Sequence, residues 1–256
     1  MEKDNKAVGI GSALLVVAVG AGIYFYRSTA PAPAPAVPEA PAAPAPADAP
    51  AAPPAEPLPT PEESDAFLRG KAAGLSADPV YAGWLKGDDL LPRFAAAVSM
   101  IGSGKVPKDG LSFMAPRGKF KVRRKGGTLV ADPGGYVRYG AAAGAIGSLD
   151  AAAAAALFQK YKPLFQAAYR GLGEQKDDVQ DALLRAAQEL SAAPLVPAGA
   201  ALKEKGLGYA YVDDALERLS PAQKQLMRMG PKNQAKIQAK ARELASALGA
   251  PGRPSK

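Results

Sequence analysis

The chain has 256 residues and a net charge of +8, with neither cysteine nor histidine. That length suits one domain with appendages. The missing residues exclude disulfides, thiol chemistry, a Ser-His-Asp triad and the usual zinc sites, and leave an all-carboxylate Ca²⁺ or Mg²⁺ site open.

Charge is spread unevenly, with +1 over residues 1–28, −3 over 29–61 and therefore +10 over 62–256. A basic C-terminal region attracts nucleic acid, anionic lipid or another polyanion, and composition does not choose among them.

Residues 7–26, AVGIGSALLVVAVGAGIYFY, carry no charge. Roughly 20 residues at ~1.5 Å rise cross a hydrocarbon core of about 30 Å. Tyr24, Phe25 and Tyr26 fall where an aromatic belt lies, and Arg27 follows within snorkelling reach of the headgroups. A cleaved signal peptide is the closest rival, because Ser28, Thr29 and Ala30 are small. However, Pro31 would follow the cut, Arg27 sits in the recognition region, and the apolar run exceeds a usual signal core. An uncleaved transmembrane helix is the expectation, with the lipid bilayer as its partner. Lys3, Lys6 and the amino terminus precede the span, and Arg27 alone follows. The positive-inside rule then keeps residues 1–6 in the cytoplasm and places the remainder on the periplasmic side of the inner membrane.

Residues 29–61 hold 13 of the 25 prolines, mostly separated by alanine. Proline removes amide donors, and alanine alone builds no core, so 27–61 reads as a disordered, semi-rigid spacer. At about 3.1 Å per residue it reaches up to roughly 100 Å.

From Glu62 the composition becomes mixed and periodic, and 62–249 is long enough for one hydrophobic core, with 250–256 as a disordered tail. Short helices are predicted over 64–75 and 78–85, the second with Asp78 as cap and Pro79 in its first turn. A longer one over 88–104 places Leu91, Phe94, Ala95, Val98 and Ile101 on one face. In 118–132, Lys119 to Arg123 alternate strictly and Gly126-Gly127 turns the chain, which predicts a hairpin. Residues 148–173 read as helix with a cap at Ser148/Asp150 and a kink or split at Pro163. Residues 176–193 form a helix with acids in its first turn. A second short hairpin is predicted over 199–214 and a helical turn over 213–219. Ser220, Pro221 and Gln223 then make a capping box. Leu226 and Met229 face inward, and Gly230-Pro231 breaks one helix and starts the next. There Ile237, Ala241, Leu244 and Leu248 form the buried stripe. The expected fold is mainly α, a single helical domain with one or two short β-hairpins.

Several stretches invite a chemical reading. Gly102-Ser103-Gly104-Lys105 resembles a phosphate loop, but Ser99 and Val106 occupy positions that need Gly and Ser/Thr, and a helix stands where a strand is required. The acid pairs Asp88/Asp89, Asp177/Asp178 and Asp213/Asp214 fall at helix starts, where capping explains them better than acid–base chemistry. Lys119, Lys121 and Arg123 form a basic strip on the hairpin, continued by Arg117, Arg124 and Lys125. Such a strip also serves as a solvated face protecting a sheet edge. Lys232, Lys236 and Lys240 form a second basic stripe, expected to point away from the core. These two sets are the candidate face for an anionic partner. No catalytic, cofactor-binding or metal-ligating residue is assigned.

The stretches LLPRFAAAVSMIGSGKVPKDGLSFMAPRGKFKV (90–122), YVRY (136–139), LFQKYKPLFQAAYRGLG (157–173), APLVP (193–197) and LSPAQKQLMRMGPKNQAKIQAKAREL (219–244) resemble a bacterial family known only as domain of unknown function 3014. The resemblance covers nearly all of 64–249, with SPAQKQLMRMGPKN its most specific mark. It implies single-pass envelope proteins, mostly proteobacterial, without an assigned activity, and it brings no catalytic residues. Taken together, the expectation is a non-enzymatic interaction or scaffolding module in the periplasm. Its partner would be an anionic envelope polymer or another envelope protein. A cytoplasm-facing nucleic-acid binder using the helix pair at 220–249 is the alternative, and an enzyme using carboxylate, Lys or Ser chemistry is the second.

Overall fold

The computed structural model describes residues 59–60, 63–107, 111, 120–196 and 199–249. The predicted span 7–26, nearly all of the spacer and the tail lie outside these residues. No single helix among the described residues is long and apolar enough to cross a membrane.

Helix α1 (Ser64–Ala72) runs into a 3-10 turn and is followed by α2 (Pro79–Trp84) and α3 (Leu90–Gly102). Asp78 caps α2, its carboxylate accepting from Val80 N–H at 2.8 Å, with Pro79 in the first turn as expected. The start of α3 differs from the sequence expectation. Asp89 adopts a left-handed φ of 56° and makes no side-chain cap. Instead Asp65 on α1 accepts from Asp89 N–H at 2.7 Å and Leu90 N–H at 2.8 Å. A carboxylate distant in sequence satisfies these amides, which local reading cannot see.

Helix α4 (Gly140–Gly147) was not expected, because GAAAGAIG has no polar period to read. Packing makes it a helix, with Ala143 and Ala145 fully buried. The predicted run 148–173 is two helices, α5 (Ala151–Lys160) and α6 (Lys162–Gly171), broken at Tyr161 with Pro163 in the first turn of α6. Asp150, rather than Ser148, caps α5 through Ala153 N–H at 2.9 Å. Helix α7 (Val179–Ala192) is capped by Asp178.

Both hairpins form. Strands β1 (Val122–Lys125) and β2 (Thr128–Ala131) turn at Gly126-Gly127, whose φ values of 54° and 81° suit the tight turn that follows strand twist. Strands β3 (Ala201–Lys205) and β4 (Gly208–Tyr211) pair likewise. Unforeseen from sequence, β2 also pairs with β3, Leu129 opposite Leu202 and Val130 opposite Ala201, giving one antiparallel sheet in the order β1-β2-β3-β4. The chain closes with α8 (Asp214–Glu217), α9 (Pro221–Met227) and α10 (Pro231–Ala247).

The main core joins α1, α3, α5, α6 and α7 around Leu91, Val98, Phe158, Phe165 and Tyr169, with Phe94 and Phe158 at 5.1 and 5.2 Å from Phe165. A second cluster packs Ile237 of α10 and Leu226 of α9 on Ala143. A third sets Leu202 and Tyr211 of the sheet on Met227, with Phe120 and Val122 at its rim. One face of the sheet is thus covered by the C-terminal helices, and the other carries exposed bases of both hairpins.

Candidate anionic-partner face

Cross-strand partners share a face, so register decides which bases stand together. Arg123, Val130 and Ala201 form one row, and Lys125, Thr128 and Lys203 the next, with Lys205 beyond and Lys121 before. Lys121, Arg123, Lys125, Lys203 and Lys205 are all exposed on this outer face. Its floor is small and apolar. Val130 and Ala210 are 3% and 1% exposed. Among the described residues, Lys121, Arg123, Lys125 and Lys203 have no ion-pair partner. Lys205 meets Glu217 at 3.2 Å while its side chain stays 69% exposed.

Of the candidate residues, Lys121 and Arg123 therefore stand on one face, whereas Lys119 lies outside the described residues. Arg124, grouped with the strip in the sequence, turns to the opposite face beside Leu129. Lys203 and Lys205 were missed. Their same-phase spacing in ALKEK was legible, but the β2–β3 pairing that brings them beside Arg123 was not.

The helical stripe divides. Lys232 and Lys236 are exposed on α10, but Lys240 is 8% exposed and donates to Leu149 C=O and to Glu243. The expectation that all three lysines point outward is corrected here. At about 100° per residue, Lys240 lies only about 60° from Ile237, three positions earlier, and so follows it toward the core. Predicted stripe residues Ile237, Ala241 and Leu248 are buried, and Leu244 is half-buried.

The rest of this helix pair is occupied internally. The Ser220/Gln223 capping box is present, and the Gln223 amide also donates to Glu189 C=O at 3.2 Å. Ser220 Oγ bonds the Glu189 carboxylate. Gly104 of the phosphate-loop look-alike packs against Ser220 and accepts from Ala222 N–H at 3.0 Å. Lys224 donates to Glu217 C=O, and Arg228 to Tyr209 C=O, both at 2.8 Å. Gln234 and Gln238 donate to the carbonyls ending α7, at 2.8 Å to Pro194 and 2.7 Å to Ala193. At Gly230, φ 85° and ψ 157°, a Cβ would lie 2.4 Å from the Tyr136 ring, and Asn233 donates to Tyr136 C=O at 2.9 Å.

These interlocked segments are those matched by a family model. The model described as "Protein of unknown function (DUF3014)" covers residues 90–245, from α3 almost to the end of α10. The chain belongs to this family. Helices α1 and α2 precede the DUF3014 segment, and α1 is tied to it by Asp65 at the start of α3. No curated protein and no solved structure matches the chain.

Asp177, Asp178 and Asp213 serve the fold, whereas Asp89 makes no cap. Asp213 caps α8 through Ala215 N–H at 2.7 Å. Asp177 is held by Arg185 and by the Tyr169 hydroxyl at 2.9 Å. Arg185 first, and Tyr169 with it, hold the Asp177 carboxyl below the usual range. Burial, reinforced by Asp177, raises Tyr169 to about 12. Glu217 is raised by partial burial but lowered further by Tyr211 N–H, Lys205 and Lys224, so it stays ionised below the usual range. A cavity of about 20 Å³ between Phe120, Tyr136, Tyr211 and Arg228 has room for about one water.

Proposed function

We propose that the chain is a single-pass, membrane-anchored envelope protein acting as a non-enzymatic interaction or scaffolding module that engages an anionic partner in the periplasm. The outer sheet face carries this reading. Four bases without ion-pair partners among the described residues, and a fifth largely exposed, share a few rows of one sheet, and attraction to polyanions follows from such a field. The apolar run 7–26 and the proline-rich spacer support anchoring at a distance from the bilayer.

The helix pair at 220–249 supports the nucleic-acid alternative less well. Lys224, Arg228 and Lys240 are bonded within the fold, which leaves Lys232, Lys236 and Arg242 as its exposed bases among the described residues.

The test uses the full chain in detergent, retained on immobilised heparin as a model polyanion. The triple reversal Arg123→Glu, Lys125→Glu, Lys203→Glu should elute at much lower salt, and Lys232→Glu, Lys236→Glu should change elution less. Equal elution of the triple variant and the native chain would exclude the sheet face. A C-terminal alkaline phosphatase fusion should be active; an inactive one would overturn the periplasmic placement.

A further inference from the structure

We propose that β1 is the docking edge for an extended acidic peptide of a partner protein, which adds to the sheet as a fifth strand. This rests on the anionic-face reading and commits it to one class of partner.

The two sheet edges are treated differently. Asp132 N–H donates to Lys121 C=O at 3.0 Å. Hydrogen-bonded pairs therefore recur at Arg123–Val130 and Lys125–Thr128, and the amides and carbonyls of Val122 and Arg124 point away from β2. At the opposite edge, Val212 N–H donates to Ala201 C=O at 2.9 Å, so Tyr209 and Tyr211 point outward. Side chains occupy both. Glu217 accepts from Tyr211 N–H at 3.1 Å, and Arg228 donates to Tyr209 C=O at 2.8 Å. Among the described residues nothing equivalent meets Val122 or Arg124.

An unpaired edge is a template for another strand. Charge selects which strand. Residues 120–131, FKVRRKGGTLVA, contain no acid. A second copy presenting the same edge would oppose Lys121, Arg123, Arg124 and Lys125 with themselves and be repelled. An acidic strand would be attracted by the same residues. Side chains of an added strand alternate between faces. Those on the outer face would lie along Lys121, Arg123 and Lys125. Those on the inner face would lie near Phe120 and Val122, at the rim of the sheet's core. The fitting partner therefore alternates acidic and apolar residues, with backbone bonds giving affinity and the alternation giving register.

The experiment uses the full chain in detergent with the peptide (Glu-Val)4, the same peptide N-methylated at its valines, whose amides face Val122 and Arg124 in antiparallel pairing, and heparin. Arg124→Pro removes one outward donor without touching the ladder, a substitution that edge strands tolerate; Arg124→Ala, which loses the same charge and keeps the N–H, is its reference, and the melting temperature of each checks the fold. Native chain should bind (Glu-Val)4. N-methylation removes both donors to the carbonyls of Val122 and Arg124 and should weaken binding by well over tenfold, while Arg124→Pro should bind roughly tenfold more weakly than Arg124→Ala, the loss expected for about one hydrogen bond to a backbone group. Heparin retention should be the same for Arg124→Pro and Arg124→Ala. Equal affinity for the two peptides, or heparin binding without peptide binding, overturns strand addition and leaves the anionic face standing. Failure to bind either peptide or heparin at low salt overturns both. Because N-methylation is read on the native chain, the inference stays testable if Arg124→Pro unfolds.

Discussion

The C-terminal helix pair and the four-stranded sheet are both basic, yet they use polar groups in opposite ways. In and between α9 and α10, Gln223, Lys224, Arg228, Asn233, Gln234, Gln238 and Lys240 all bond to backbone carbonyls, linking these helices to α7 and the residues after it, α8, β4 and the turns before and after α4. On the outer sheet face, Lys121, Arg123, Lys125 and Lys203 are exposed, with no ion-pair partner among the described residues. The stretch richest in distinctive residues is therefore an assembly of internal fastenings. The plainer hairpins carry the charge that remains available to a partner. A distinctive motif in a family without assigned activity marks what the fold requires, which is a separate matter from what the protein touches.

This contrast is open to attack at several points. Gly230→Ala should have the largest effect, about 4 kcal/mol of lost stability in denaturant unfolding, since the new Cβ meets the Tyr136 ring and the backbone is in a region side chains avoid. A loss under about 1 kcal/mol would mean that the Tyr136 contact is not a fastening. Gln238→Leu keeps the volume but leaves the carbonyls of Leu190 and Ala193 without this donor, and should lower stability by about 2 kcal/mol. Within the single lysine stripe, Lys240→Met should lose about 1.5 kcal/mol, whereas Lys232→Met should stay within about 0.5. Equal effects would erase the distinction between its two halves.

Acid should weaken the sheet's closed edge. The pKa of Glu217 is depressed in the fold, so its contribution is fully present above the unfolded value near 4.5 and is lost as pH falls through the lower folded value. The native melting temperature should drop below about pH 4.5, and Glu217→Gln should flatten part of that slope. The smallest change in stability is expected from Arg123→Glu, within about 0.5 kcal/mol, together with clearly weaker heparin retention. A large loss of stability there would make the outer face structural.

Much of the fold was legible because its signals are local. Asp78, Asp178, Asp213 and Ser220 cap helices where the sequence placed caps, and Gly126-Gly127 turns a hairpin. Misreadings arose where the deciding partner is distant. Asp65 holds the start of α3 from 24 residues away in place of Asp89, and α4 is helical by packing despite a pattern without polar period. Lys240 was a different error, since 100° per residue already placed it near Ile237.

By itself the sequence determined the uneven charge, the absence of thiol and imidazole chemistry, the periodic helices and the first hairpin, because composition and short-range periodicity act within a few residues. Only the tertiary structure decided that the hairpins join through β2 and β3. It also decided that Lys203 and Lys205 stand with Arg123, and that one sheet edge is closed by Glu217 and Arg228. Those outcomes depend on strand register and on side chains reaching across the fold, and no local propensity encodes either.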